Sequence, residues 1–328
     1  MKNKLLKIIG LGALALASIS HAYADIQFKD VIGRDIQLEK PAERIFLGFY
    51  FEDYLAIAGP DAYQKVAIFP RHSWKDYRQS QWATYSKIIP ELETIVDSGS
   101  IYMGTFDFEK LLATKPDVAL VAAWQFKSLG DKVAILEKSG IKVVVVDFNA
   151  QTLEKHVAST RVIGKVMGTD ERAEAIATEY ENTVNDVKQR VATYLKNHDA
   201  RRVYVEIGNA GPNEYGKSYT TTMWGNILNM AGADNIATGK FKGSAHLTPE
   251  YVLSKDPEVI FVSGAHWVKH GDSALLGYGT TLEQAQDRYK PYLAVRVGSN
   301  LLPLKMAMSM ACITLEHVPF TTTYFCNI

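Results

Sequence analysis

Cysteine is almost missing from this chain: its 328 residues hold two, Cys312 and Cys326, both in the last seventeen. The body therefore takes no help from disulfides. An excess of either charge is missing too, with 36 basic against 36 acidic residues, and that balance does not favour a nucleic-acid partner. Three enzyme signatures are absent as well. There is no Gly-x-Ser-x-Gly elbow, no zinc-protease histidine pair and no phosphate loop, since Gly216-Lys217-Ser218 lacks the earlier glycine at the required distance. A binding role without cofactor is expected rather than catalysis. Long apolar runs are lacking: the one extended stretch, Leu5 to Ser18, is broken by Lys7 and small residues, whereas a membrane span needs about 20 apolar residues.

That stretch follows Met1-Lys2-Asn3-Lys4 and leads into His21-Ala22-Tyr23-Ala24-Asp25. A basic start, a short apolar core and small residues at the cut read as a signal peptide over 1–24. No cysteine follows the run to carry a lipid, so a free periplasmic protein is expected. Cutting after Ala24 removes three lysines and no acid, leaving 33 basic and 36 acidic residues and a net charge of −3. The remaining chain, roughly 300 residues, is large enough for two ordinary domains.

From Arg44 onward short β-branched or aliphatic runs alternate with longer helical patterns, which predicts an α/β fold of parallel sheets with crossover helices. Ile45 to Gly48, Val66 to Phe69, Val118 to Ala122 and Lys142 to Asp147 are the strands expected of a first lobe. Arg202 to Gly208 and Glu258 to Ser263 belong to a second. Between the lobes, Thr169 is placed to cap a helix whose apolar positions Ile176, Tyr180, Val184, Val187, Val191 and Tyr194 recur at three and four. Running to about Asn197, it would be roughly 40 Å long, a rigid spine limiting the hinge. The expected division is an N-terminal lobe over 25–150, a helical segment over 151–200 and a C-terminal lobe over 201–294.

A faint internal repeat points to pseudo-symmetric halves. Glu109, Leu112, Pro116 and Val118 recur as Glu250, Leu253, Pro257 and Val259, each at an offset of 141. Each copy reads as a short helix, broken before proline and followed at once by a buried strand.

Several segments then resemble one family in order and spacing. They are Asp30-Val31-Ile32-Gly33-Arg34, Pro41 to Ile45, the Glu-x-Leu-Leu and Pro-Asp-Val segment, Ser139-Gly140-Ile141-Lys142-Val143, and Met230-Ala231-Gly232-Ala233-Asp234-Asn235. Together they resemble the class III periplasmic binding proteins, which serve ABC importers of iron-siderophores, haem and cobalamin. The resemblance implies two Rossmann-like lobes joined by a long helix, ligand held in the cleft between them, and a membrane permease as partner of a monomeric binding protein. It also implies that Glu109 and Glu250 dock into arginine pockets of that permease. The alternative is that each is a helix-start acid facing a helix dipole, worth a few tenths of a kcal/mol.

Ligands of open α/β sheets bind beyond the carboxyl ends of strands. The candidates there are Tyr50 and Glu52, then Arg71, His72 and Trp74, then Trp124, and in the second lobe Tyr215, Lys217, Tyr219, Trp224, His266 and Trp267. Phe49, Phe51, Gln125, Phe148, Asn149 and Asn209 lie beside them. Any one aromatic at a strand end can be lobe packing. Their collective excess suits a bulky, flat metal chelate, and a cationic donor, Arg71 first, suits an anionic one. The competing expectation is direct ligation of a metal or haem by His72, His246 and His266 with Tyr50 or Glu52, although no two of these histidines share a close ligand spacing.

From about Val295 the helix–strand pattern dissolves into a Met-rich, Thr-rich string, which is expected to be a frameshifted reading. Third bases of the codons joined to the next two can encode a tryptophan segment, a V-K-N-G-x-V-Y strand and a final helix, resembling the family's ending. Met306-Ala307 and Met310-Ala311 force glycine in that frame, where the family-like string has it. On this reading the tail over 295–328 supplies no closing strand, the second lobe is incomplete, and Cys312 and Cys326 have no disulfide role.

Overall fold

In the computed structural model of the chain, the described residues are 25–214, 216–265 and 271–292, with the backbone alone of 293–294, 296–297, 300–301 and 309–314. The expected signal peptide, Tyr215, His266, Trp267 and most of the tail lie outside the described residues.

An antiparallel hairpin, β1 (Ile26–Lys29) and β2 (Asp35–Leu38), precedes a first lobe built on a five-stranded parallel sheet. Its strands are β3 (Ile45–Leu47), β4 (Val66–Phe69), β5 (Val96–Asp97), β6 (Val118–Ala122) and β7 (Lys142–Val146), in the order β5-β4-β3-β6-β7. β6 reads Val-Ala-Leu-Val-Ala and is buried throughout, and β7 is four buried valines after Lys142. Unbroken apolar runs belong to strands covered on both faces by crossover helices. Those helices are α1 (Phe51–Ala58), α2 (Arg71–Tyr77), α3 (Gln79–Ile88), α4 (Phe108–Thr114), α5 (Ala123–Leu129), α6 (Lys132–Lys138) and α7 (Leu153–Met167).

The spine is α8 (Asp170–Tyr194), 25 residues, or about 37 Å at 1.5 Å per residue. Thr169 does not cap it with its side chain. Its hydroxyl instead donates to the Ile57 carbonyl at 3.2 Å, and Arg172 Nε donates to the Ala56 carbonyl at 2.7 Å, so the spine is tied to α1. The apolar stripe is used unevenly. Ile176, Tyr180 and Val184 pack toward the first lobe and α7, and Val191 stands against Gly232 of the second lobe. Val187 and Tyr194 remain 36% and 44% exposed. None of the helices among the described residues is long and apolar enough to cross a membrane.

The second lobe follows as β8 (Arg202–Ile207), β9 (Lys217–Tyr219), α9 (Trp224–Met230), β10 (Asp234–Asn235), β11 (Ser244–His246), α10 (Pro249–Ser254), β12 (Val259–Gly264) and α11 (Leu282–Tyr289). β13 (Arg296–Val297) and β14 (Asn300–Leu301) form a short hairpin before β15 (Ser309–Thr314). The main sheet is parallel, β10-β8-β12-β15, while β9 and β11 pair antiparallel. The tail thus does supply a closing strand, contrary to expectation: β15 pairs with β12 from Val259 opposite Ser309 to Gly264 opposite Thr314. The free edge of β12 offers backbone donors and acceptors that any extended segment can satisfy.

The repeat is structural as well. Asp107 caps α4 by accepting from the Lys110 amide, and 141 residues on, Thr248 caps α10 by accepting from the Tyr251 amide. Lys115 and Asp256 end the copies at φ 50° and 44°. Asp117 then accepts from the Arg44 amide, as Glu258 does from the Arg202 amide, and each arginine side chain donates back to the carbonyl of Lys115 or Asp256.

Candidate functional site

The carboxyl ends of the first-lobe strands surround a cavity of about 480 Å³. Gly48 follows β3, and a Cβ there would sit 2.6 Å from Gln125 Oε1. A side chain there would displace the Gln125 amide, which bridges two strand ends: its Nε2 donates to the Gly48 carbonyl at 2.9 Å and its Oε1 accepts from the Ala122 amide at 3.0 Å. Behind that bridge the cavity wall is aromatic. Phe49 meets Trp124 edge-on at 5.4 Å and Trp74 at 6.0 Å, and Tyr102 meets Trp124 at 6.3 Å. Tyr77, Met103, Ser100 and Asn149 complete much of the lining. The Arg78 guanidinium lies 5.0 Å over the Trp74 ring and also lines the space, so the cation is held against a π face.

Arg71, the donor expected first, points elsewhere. On a helix, residues four apart share a face. Arg71 and Lys75 both reach Glu93, the former to its carbonyl and the latter to its carboxylate at 2.9 Å. Trp74 and Arg78 share the next face, toward the cavity. Arg78 was therefore readable as the i+4 neighbour of Trp74, a signal that strand-end reasoning passed over. His72 is exposed, its amide and ring bonded to Asp97 at 3.1 and 2.6 Å. Burial would raise the Asp97 carboxyl, but these bonds from His72 outweigh it and hold it below the usual range.

Tyr50 and Glu52 line a smaller adjoining chamber with Trp74. Tyr50 is left-handed at φ 55° and buried, and its hydroxyl accepts from the Asn149 amide at 3.2 Å. Burial raises the Glu52 carboxyl, opposed by a 2.8 Å bond from the Tyr85 hydroxyl and by Gln81 and Arg78.

Of the second-lobe candidates, Tyr219 faces the first lobe: its phenol is pushed up by burial and by Tyr102. Trp224 is a packing residue, buried against Val203, Val205 and Leu228. Lys217 does not line the cavity, and its charge acts on Glu206 instead. Across the cleft Asn226 Nδ2 donates to the Ala150 carbonyl at 2.6 Å, and the Tyr85 and Tyr278 hydroxyls lie 3.4 Å apart. Glu109 and Glu250 are both exposed, each in the first turn of its capped helix. Among the described residues no group of three or more His, Cys, Asp or Glu is placed to hold a metal, and His246 is exposed.

A family profile described as Periplasmic binding protein matches residues 49–277. The chain belongs to the periplasmic binding protein family. Among periplasmic binding proteins of known structure it is similar to the TroA-like protein FepB from Veillonella parvula, at 33% identity and a TM-score of 0.79, covering 88% of this chain and 84% of that one. A vitamin B12-binding protein of Pectobacterium atrosepticum is 26% identical over 57% of this chain and 63% of its own length. An uncharacterised ABC transporter substrate-binding lipoprotein of Bacillus subtilis is 24% identical over 54% of this chain and 53% of its own. The matched region thus spans between about half and two thirds of these curated relatives.

Proposed function

We propose that this chain is the periplasmic solute-binding component of an ABC importer, capturing a ferric siderophore or similar anionic metal chelate and handing it to a membrane permease. The observation that carries the reading is the main cavity, an aromatic wall with the Arg78 guanidinium set over Trp74. Broad rigid faces with one cation suit a bulky, flat, anionic ligand better than a bare ion. A chelate brings its own metal ligands, so the protein need only surround it. Export by the residue 1–24 segment puts the cleft where such chelates arrive. Glu109 and Glu250 are the docking acids of the reading: exposed, repeated at an offset of 141 and each presented by a capped helix start. A second reading, cobalamin in the same cleft, draws on the relatives named for vitamin B12.

The test is a fluorescence-quench panel of ferric siderophores, haem, cobalamin and nickel-histidine, read through the tryptophans of the cavity. Saturable quenching by ferric siderophores is expected. Saturation by cobalamin alone would favour the second reading, and no saturation by any of them would defeat both.

A further inference from the structure

Helix α2 carries much of the cavity wall and has little of its own to hold it there. Ser73, Trp74 and Tyr77 on the helix, and Arg78 at its end, all line the main cavity. None of its residues is buried. It packs on the first-lobe core through Trp74, whose ring lies 5.2 Å from that of Phe51 and 6.0 Å from that of Phe49. The ring that faces the ligand space is thus also the helix's hold on the core. A helix of seven residues is too short to be stable by itself, so contacts from outside must fix its place.

The segment from Glu93 to Asp97 supplies them, unequally. Lys75 reaches the Glu93 carboxylate, but the two ends of that pair are 48% and 45% exposed, and exposed pairs hold little. The Asp97 carboxylate is only 19% exposed and grips the helix at two points. Its Oδ1 accepts from the His72 main-chain amide at 3.1 Å, and its Oδ2 stands 2.6 Å from His72 Nδ1. Chain order puts it there: β4 ends at Phe69, α2 begins at Arg71, and Asp97 is the residue paired with Phe69 on the neighbouring strand. Pro70, at the start of α2, makes no capping side-chain bond, so Asp97 fills that role from the next strand. Helical residues two apart point about 200° from one another. Fixing the His72 face against Asp97 therefore turns the Trp74 face to the cavity.

We propose that His72 and Asp97 are positioning residues of the binding cleft. Their two bonds set the rotation of α2 and so hold Trp74 and Arg78 against the ligand, while His72, which does not line the cavity, touches neither ligand nor metal. The proposal rests on the cleft being the ligand site.

The experiment labels the protein with 5-fluorotryptophan and follows the fluorine lines of Trp74 and Trp82 without ligand, each assigned by its loss in the phenylalanine variant. Trp82 is the control, since it stacks on Phe69 and bonds Glu93 from α3. Asp97→Ala is expected to shift and broaden the Trp74 line and to leave the Trp82 line in place. His72→Ala, at an exposed position, should move the Trp74 line the same way by less, because the main-chain bond remains, and it keeps the test alive if Asp97→Ala does not fold. Asp97→Asn still offers an oxygen to the amide and a donor to the imidazole, so it should keep the parent line. Ferric tris-catecholate, titrated by tryptophan fluorescence, should bind roughly tenfold more weakly to Asp97→Ala and within about twofold of the parent to Asp97→Asn. An unmoved Trp74 line in both alanine variants, Trp74 and Trp82 lines that move together, or an asparagine variant that behaves like the alanine one would overturn the proposal. So would unchanged affinity in Asp97→Ala once its Trp74 line has moved. A parent protein that does not bind the tris-catecholate counts against the proposed function instead, and the fluorine lines, read without ligand, still decide the role of the pair.

Discussion

Arg71 and Arg78 lie on and at the end of one short helix, and their positions decide which of them can meet a ligand. Arg71 is committed to the Glu93 carbonyl, whereas Arg78 lines the cavity over Trp74. Arg78→Ala is expected to weaken binding of an anionic chelate by about 1 to 3 kcal/mol, the usual loss for a charge-assisted contact. Arg71→Ala should leave the dissociation constant nearly unchanged, and fluorescence titration of both variants reads the difference. Glu206 makes stability depend on pH. Burial pushes its carboxyl up from 4.5 to about 8, against bonds from the Tyr204 hydroxyl and the Gly216 amide. The folded state therefore keeps a proton that the unfolded chain gives up, so its stabilising effect is full below about pH 4.5 and is lost as pH rises through about 8. Glu206→Gln removes that loss and should be more stable than the parent at pH 9 by roughly 3 to 5 kcal/mol, with little difference at pH 4. Thermal melts at the two pH values check it. The sequence made Tyr50, Glu52, Trp74 and Trp124 legible as strand-end residues. Arg78 was open to the same reading as the i+4 neighbour of Trp74, whereas the loss of Arg71 to Glu93 was not, because that partner is brought near only by the fold.

Among the elements, α7 and α8 meet closely at Gly164, where an added Cβ would lie 2.4 Å from that of Ala173. Gly164→Ala forces two packed helices apart and is expected to cost about 1 to 3 kcal/mol, as overpacking of a filled interface does; urea denaturation measures it. The strands were legible because β3, β4, β6, β7, β8 and β12 are runs of buried aliphatics, and each prediction falls within a residue of the observed bounds. The repeat was legible for the same local reason: cap, helix and strand follow one another in a few residues. What was not legible is long-range. The Thr169 hydroxyl finds its acceptor in Ile57, 112 residues earlier. β15 owes its strand to the open edge of β12 rather than to its own pattern.

For the whole molecule, the two lobes meet along a cleft whose chemistry is lopsided. The aromatic wall and Arg78 come from the first lobe, whereas Tyr219, Met223, Asn226 and Tyr278 face it from the second. Glu109 and Glu250, the docking acids of the proposed function, lie on exposed helix starts that do not line this cavity. Replacing Glu109 and Glu250 by alanine together should therefore leave chelate affinity within about twofold, a few tenths of a kcal/mol, while slowing uptake in cells that depend on this chain. Lost affinity in the purified double variant would place those acids in the ligand site instead. On the proposed function the cleft surrounds a complete chelate rather than coordinating a bare ion. Calorimetric titration tests it most directly, comparing an intact ferric siderophore with free iron, nickel and zinc on the same protein. Saturable one-to-one heat is expected from the chelate and none from the free ions, and tight uptake of a free ion with no chelator present would overturn the proposed function.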